Sequence, residues 1–166
     1  MMQDTARLAL PLIAAGQAQK DVFHNEALVR LDALVQGAVE TMGAEIPPAN
    51  PAEGKAWILG GTPGGAWADR AHDIAWWSTG GWRFAEPRDG MVLWVRDAEC
   101  WALHTAAGWQ LGAIPAKSLT VGGQAVVGAR RGAVADPSGG ESIDVQARSA
   151  IAEILDALRG HGLISR

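Results

Sequence analysis

Hydrophobic and polar positions change their period along the chain, and each change marks a segment of a different kind. Within residues 18–40, Ala27, Leu28, Leu31, Leu34, Val35 and Ala38 recur at helical spacing. That spacing predicts an amphipathic helix with those side chains turned to a core. Glu26 and Arg30 stand four apart on the other side, and Asp21 or Asn25 occupies a place suited to an N-cap. Gly43 followed by Pro47, Pro48 and Pro51 ends the helix and makes residues 46–51 a stiff connector. Ahead of it, residues 8–15 form a short apolar run containing Pro11 and preceded by Asp4. This is a poor signal peptide and reads as an extended arm, with Leu8, Leu10, Leu12 and Ile13 as its docking side chains.

From residue 54 the period falls to two. Short strands are expected at residues 55–59, 73–77, 82–85, 91–96, 100–104 and 109–111, separated by glycine-bearing turns. A weak repeat runs through them: Trp77-Ser-Thr-Gly-Gly-Trp82 resembles Leu103-His-Thr-Ala-Ala-Gly-Trp109, and Gly65-Ala66-Trp67 is a degenerate third copy. A repeated strand–turn–Gly-Trp unit implies a meander of hairpins. Residues 116–142 are small and loosely apolar, hence a linker or a strand pair that packs on a partner. Residues 143–159 then resume helical spacing, capped by Asp144 or Ser142, with Asp144 and Arg148 as an i,i+4 pair and Gly160 at the C′ position. Leu163 and Ile164 are placed to fold back on its last turn. Ala147, Ile151, Ile154 and Leu158 form a seam, and because one helix of about four turns is marginal alone, self-association is expected there.

The whole reads as an α+β chain. Its parts are an attachment arm, helix and connector (1–50), a Trp-rich antiparallel β-meander of hairpins (51–115), the Gly/Val-rich segment (116–142) and a self-associating C-terminal helix (143–166). The length, 166 residues, suits one domain with short appendages. Charge excludes a broad basic surface. The net value is −4, spread as 4 basic and 7 acidic groups in residues 1–56, 4 and 6 in 57–112, and 6 and 5 in 113–166, so nucleic acid is not an expected partner. No apolar run reaches the ~20 residues of a membrane span, and the single cysteine, Cys100, rules out an internal disulfide framework.

Composition adds one anomaly: eight Trp, two Phe and no Tyr, with every Trp between positions 57 and 109. Most indoles in a small β unit fill its core. Trp94, flanked by Val92, Leu93 and Val95, is expected to be buried. Trp76 and Trp77 are adjacent, so on a strand they face opposite sides and one must leave a single core. Trp82 and Trp109 follow glycine turns, where an indole covers a hairpin end or points outwards. These four, Trp76, Trp77, Trp82 and Trp109, are the candidate glycan or interface contacts.

Catalytic and cofactor signals are thin. His24-Asn25-Glu26 contains an H-x-E without the P-C-x-x-C partner of a zinc deaminase. Cys100 and His104 are two potential ligands on one strand face, short of a closed zinc site. No phosphate-binding or dinucleotide glycine motif is present. The carboxylates Asp69, Asp73, Glu86, Asp89, Asp97 and Glu99 contain no distinguished pair for glycan hydrolysis. No enzyme, metal site or cofactor is expected.

Specific strings carry a resemblance. Leu10-Pro-Leu-Ile-Ala-Ala-Gly-Gln-Ala-Gln-Lys20, His24-Asn-Glu-Ala-Leu28 and Leu31-Asp-Ala-Leu-Val-Gln36 resemble the opening of an uncharacterised family of alphaproteobacterial prophage and gene-transfer-agent proteins, tail-fibre-like or head-spike in kind. Pro51-Ala-Glu-Gly54, Gly65-Ala-Trp67, Gly81-Trp82, Gly139-Gly140, Asp144, Ala147-Arg148 and His161-Gly-Leu-Ile164 are similar too. The resemblance implies a non-enzymatic virion component, trimeric or pentameric, partnered by capsid, tail or spike-fibre proteins and linked to the recipient cell's surface polysaccharide. It transfers no catalytic residue. Direct binding of capsular polysaccharide or lipopolysaccharide is the alternative reading.

Overall fold

The repeated unit of the sequence is a repeated meander in the computed structural model, which describes residues 4–14, 20–142 and 144–165. The chain separates into two units, Met1–Ile114 and Pro115–Arg166, and the expected α+β class is what is found. The first unit contains helix α1 (Lys20–Leu34) and strands β1 (Ala38–Val39), β2 (Met42–Ala44), β3 (Ala56–Leu59), β4 (Ile74–Ser78), β5 (Gly81–Ala85), β6 (Val92–Val95), β7 (Cys100–Thr105) and β8 (Gly108–Leu111). The last six lie where alternation and glycine turns place them.

Two antiparallel meanders result, β3-β4-β5 and β6-β7-β8. Their final hairpins share one register: Trp77 faces Trp82 in the first and His104 faces Trp109 in the second. In each, a hydroxyl at the strand end donates to the glycine carbonyl across the turn, Ser78 to Gly81 at 3.1 Å and Thr105 to Gly108 at 3.2 Å. Gly81 (φ +101°) and Gly108 (φ +95°) hold backbone angles that a side chain resists. The repeat is therefore structural.

Both meanders are extended by the same short stretch of chain. β1 runs parallel to β6, with Ala38 opposite Trp94, and β2 runs parallel to β3, with Met42 opposite Ile58. Between them Glu40 N–H donates to the Ala56 carbonyl (2.8 Å), while Thr41 accepts from Ile58 N–H (3.1 Å). Residues 38–44 thus cross from one sheet to the other. The helix expected to reach residue 40 stops at Leu34 because this crossing strand needs the chain extended. Gln36 turns through φ +46°, and a side chain at Gly37 would collide with Leu93. Facing sides of the sheets, helped by α1, form one core: Ala33, Val39, Ile58, Ile74, Trp76, Leu93 and Val95 are among its buried residues.

Helix α1 is rotated from the expected orientation, so that only part of the expected face turns inward. Of the expected residues Leu34 packs on the core, together with Val29 and Ala33, whereas Ala27, Leu31 (50% exposed) and Val35 (46% exposed) point outwards. Polar residues on the inner side explain the rotation. Asp32 is buried and accepts from Thr5 Oγ1 (2.8 Å), Arg7 N–H (3.0 Å) and Leu8 N–H (2.6 Å). Asn25 is no N-cap: it lies within the helix and exchanges two hydrogen bonds with the backbone of Ile13. Glu26 pairs with Arg83 on β5 at 2.6 Å rather than with Arg30.

In the second unit the segment left open as linker or strand pair is a hairpin, β9 (Leu119–Val121) and β10 (Gln124–Val127). Its loop is Gly122-Gly123, both at positive φ, as a two-residue I′ turn demands. Helix α2 (Val145–Gly160) is capped by Asp144, which accepts from Ala147 N–H at 2.9 Å. Arg148 turns to the Gly139 carbonyl instead of back to Asp144. The left-handed residue after the helix is Gly162 (φ +71°), two positions beyond the expected Gly160. Leu163 N–H returns to the Leu158 carbonyl (2.9 Å), and Ile164 is buried.

Candidate functional site

Strand alternation separates the adjacent indoles as its period requires. Trp76 points into the core and is 4% exposed, so any contact it makes with a glycan or a neighbour is through the small part of it that lines a cavity beside Thr5 and Asp32. Trp77 lies on the other face of β4, edge-to-face with Trp82 at 5.1 Å. Trp82 also meets Trp57 (5.4 Å) and Trp67 (5.0 Å) in the T-shaped geometry that indole quadrupoles favour. Trp67 is fully buried over this face by a short 3₁₀ turn, Gly65–Trp67. That turn replaces the expected third hairpin, since Gly64 N–H is tied to the Glu45 carbonyl (2.8 Å) and Trp67 N–H to that of Gly64 (3.1 Å). Arg70 stacks over Phe84 at 5.0 Å beside it. Trp57, Trp77 and Trp82 remain half-buried, with their rings largely engaged by one another.

The second meander corrects the expectation for Trp94. Leu93 and Val95 take the core positions of β6, which turns Trp94 to the outer face opposite Trp101. The two indoles meet edge-to-face at 5.2 Å, and Trp101 is 41% exposed, the largest value for an indole among the described residues. The apolar run around Trp94 concealed this side chain's direction, because Val92 and Trp94 share one parity and Leu93 and Val95 the other.

Trp109 is held differently. Its Nε1–H donates to the His72 carbonyl at 3.0 Å, and the His104 ring meets it edge-to-face at 5.0 Å. His72 has φ +66°, rare outside glycine, and its N–H is tied to the Gly60 carbonyl at 3.0 Å. Cys100 and His104 share a strand face as expected. The thiol is half-buried, and His104 Nδ1 stands 3.7 Å from Asp89. Among the described residues no three His, Cys, Asp or Glu side chains gather as a metal site would require.

Burial pushes the Asp73 carboxyl above its ordinary range, with Arg70 at 3.8 Å opposing the shift. A hydrogen bond from Arg83 lowers Glu26 below the ordinary range. Both groups belong to the scaffold beneath the indoles.

The arm is bound within its own unit. Besides accepting at Asp32 and Asn25, α1 is capped by Arg7, whose guanidinium donates to the carbonyls of Asp32 and Ala33 in its last turn and of Gln36 just beyond it. No basic residue in the helix's own last turn does this work. Leu8 stays exposed and Leu10, Leu12 and Ile13 half-buried. On α2, Ala147, Ile151 (43%) and Ile154 (59%) are exposed, and Leu158 is half-buried. The arm's acceptors, Asp32 and Asn25, were not evident from the sequence. Their one signal is a carboxylate and an amide interrupting an apolar helical pattern.

No helix among the described residues is long and apolar enough to cross a membrane. No curated protein matches the chain. A family described as a protein of unknown function, DUF2793, matches residues 24–110. The match begins at the His24-Asn-Glu-Ala-Leu string and ends in β8, so it takes in most of α1, the crossing strand, nearly all of both meanders and all eight indoles. Spanning more than half the sequence, it establishes that the chain belongs to the DUF2793 family.

Proposed function

We propose that this chain is a non-enzymatic structural component of a phage-like particle, a gene transfer agent or prophage virion. In this reading it is the base or adaptor of a head spike or tail fibre that attaches the particle to a recipient cell. The observation that carries the reading is the composition of the second unit. Among its described residues only Leu155 and Ile164 are buried hydrophobics, while Leu119, Val121, Val126, Val127, Ile151 and Ile154 are exposed. A unit of this size with so little core needs an external partner to order it. It is pinned instead by polar contacts, such as Arg159 to the Val134 carbonyl (2.8 Å) and to Asp136 (3.1 Å). An open groove of about 660 Å³ between β10 and Leu163-Ile164 is space that further copies would fill.

Assembly through the α2 seam, with capsid, tail or fibre proteins as neighbours, fits these exposed faces and the resemblance carried by the chain's N-terminal strings. Size-exclusion chromatography with light scattering of the full chain tests it. A stable trimer or pentamer is expected, and a monomer at the highest attainable concentration overturns the reading.

A second reading, direct contact with capsular polysaccharide or lipopolysaccharide, is favoured by the exposed Trp101 and by the half-buried Trp77, Trp82 and Trp109. Both readings place the protein in the particle at the cell surface, and neither assigns it a cofactor.

A further inference from the structure

Between the β2–β3 end of the first meander and the last hairpin of the second lies a cleft of about 410 Å³, within the ~300–1,000 Å³ range of small-ligand sites. Met42, Ile58 and Leu59 supply apolar wall, Trp109 an indole, and His72 an imidazole. The remaining lining is Gly43, Gly60, Gly108 and the small turn residue Ala107. We infer that this cleft binds a neutral sugar ring, with the Trp109 indole as its stacking surface and the His72 imidazole as its hydrogen-bonding partner. The inference rests on the second reading above, in which this chain itself touches polysaccharide.

Three observations support the assignment. First, the indole is fixed before any ligand arrives, because its only donor is already committed to the His72 carbonyl at 3.0 Å. The ring is half-buried, packed in part on the core and met by His104, and the part that lines the cleft offers electron-rich surface to the polarised C–H groups of a pyranose. Second, His72 adopts a left-handed backbone angle (φ +66°) and is tied on both sides, its N–H to Gly60 and its carbonyl to Trp109. Such non-glycine outliers concentrate where a binding group must be held in place. Third, the cleft is bordered by glycine turns: Gly43 (φ +83°) and Gly108 (φ +95°) hold angles that a side chain resists, and each faces open space. The imidazole is the only ionisable group in the lining, so no fixed cation is present to select an acidic sugar or a phosphate.

The indole N–H region of an ¹⁵N–¹H spectrum of the full chain provides the test. Trp109→Phe assigns the Trp109 signal. Methyl glycosides of glucose, galactose, mannose and N-acetylglucosamine are then titrated singly. At least one is expected to move the Trp109 signal saturably. Ala107→Trp, which fills the cleft from an exposed turn, should weaken that binding roughly tenfold or more. His72→Asn, a residue that tolerates the left-handed angle, should weaken it while leaving the other indole signals in place. The inference is overturned if no glycoside moves Trp109, or if both variants bind as the parent does. A response at Trp101 in place of Trp109 overturns the cleft and leaves direct sugar contact standing. Silence of every indole removes direct contact as well, and the oligomer measured by light scattering is independent of either result.

Discussion

At the scale of single residues, Asp32 ties the N-terminal arm to α1. It gathers the Thr5 hydroxyl and two arm amides, so an acidic group occupies a helix face that would otherwise be apolar. Asp32→Ala is expected to cost about 2–3 kcal/mol, because hydrogen bonds to a charged acceptor are lost and buried donors are left unpaired. Urea unfolding would measure the loss, and hydrogen exchange should show the Arg7 and Leu8 amides deprotected; retained protection would refute the clamp. Glu26 and Arg83 form a more exposed pair. The depressed carboxyl of Glu26 stabilises the fold above its ordinary titration range, and that contribution disappears as pH falls through the lowered folded value. Arg83→Met should therefore cost no more than ~1 kcal/mol near neutrality, given the solvent screening. Melting the two proteins across acidic pH should show the difference shrinking to nothing.

Among the elements, the six meander strands were legible because period-two alternation and glycine turns are local signals. β1 and β2 were not. They are two and three residues long, parallel, and embedded in a stretch whose apolar spacing continues that of the helix. Only pairing with β6 and β3 makes them strands. The 3₁₀ turn at Gly65–Trp67 was likewise hidden behind a likeness to the hairpin repeat. It serves as a lid, since Trp67 closes the outer face of the first sheet with Leu59 and Ala75. Trp67→Ala should destabilise by about 3–5 kcal/mol through transfer and cavity terms. It should also abolish the near-ultraviolet signal of the coupled indoles; an unchanged signal would mean that the cluster holds together without its lid.

For the molecule as a whole, the two units differ in what stabilises them. The first has a core shared by both sheets and α1, and it contains every tryptophan. The second exposes three residues of the seam expected from its sequence, Ala147, Ile151 and Ile154, and half-buries the fourth, Leu158. If the proposed oligomer forms through α2, Ile151→Glu combined with Ile154→Glu converts it into monomer in light scattering. Tryptophan emission, which reports the first unit alone, should stay as it was. An oligomer that survives both charges would move the assembly contact away from α2.

By itself the sequence determined the α+β class, the strands and hairpin turns of the meander and the presence of α2, with its cap narrowed to Asp144 or Ser142, because each depends on neighbours a few residues apart. It also required Trp76 and Trp77 to part, since that follows from the geometry of any strand. Tertiary structure decided which face of α1 turns inward, which of Leu93 and Trp94 reaches the core, and that residues 38–44 join the two sheets. It also brought His72 and Trp109 together across 37 positions. Those outcomes rest on contacts between distant segments, where a buried carboxylate needing donors or a strand needing a partner overrides local hydrophobic spacing.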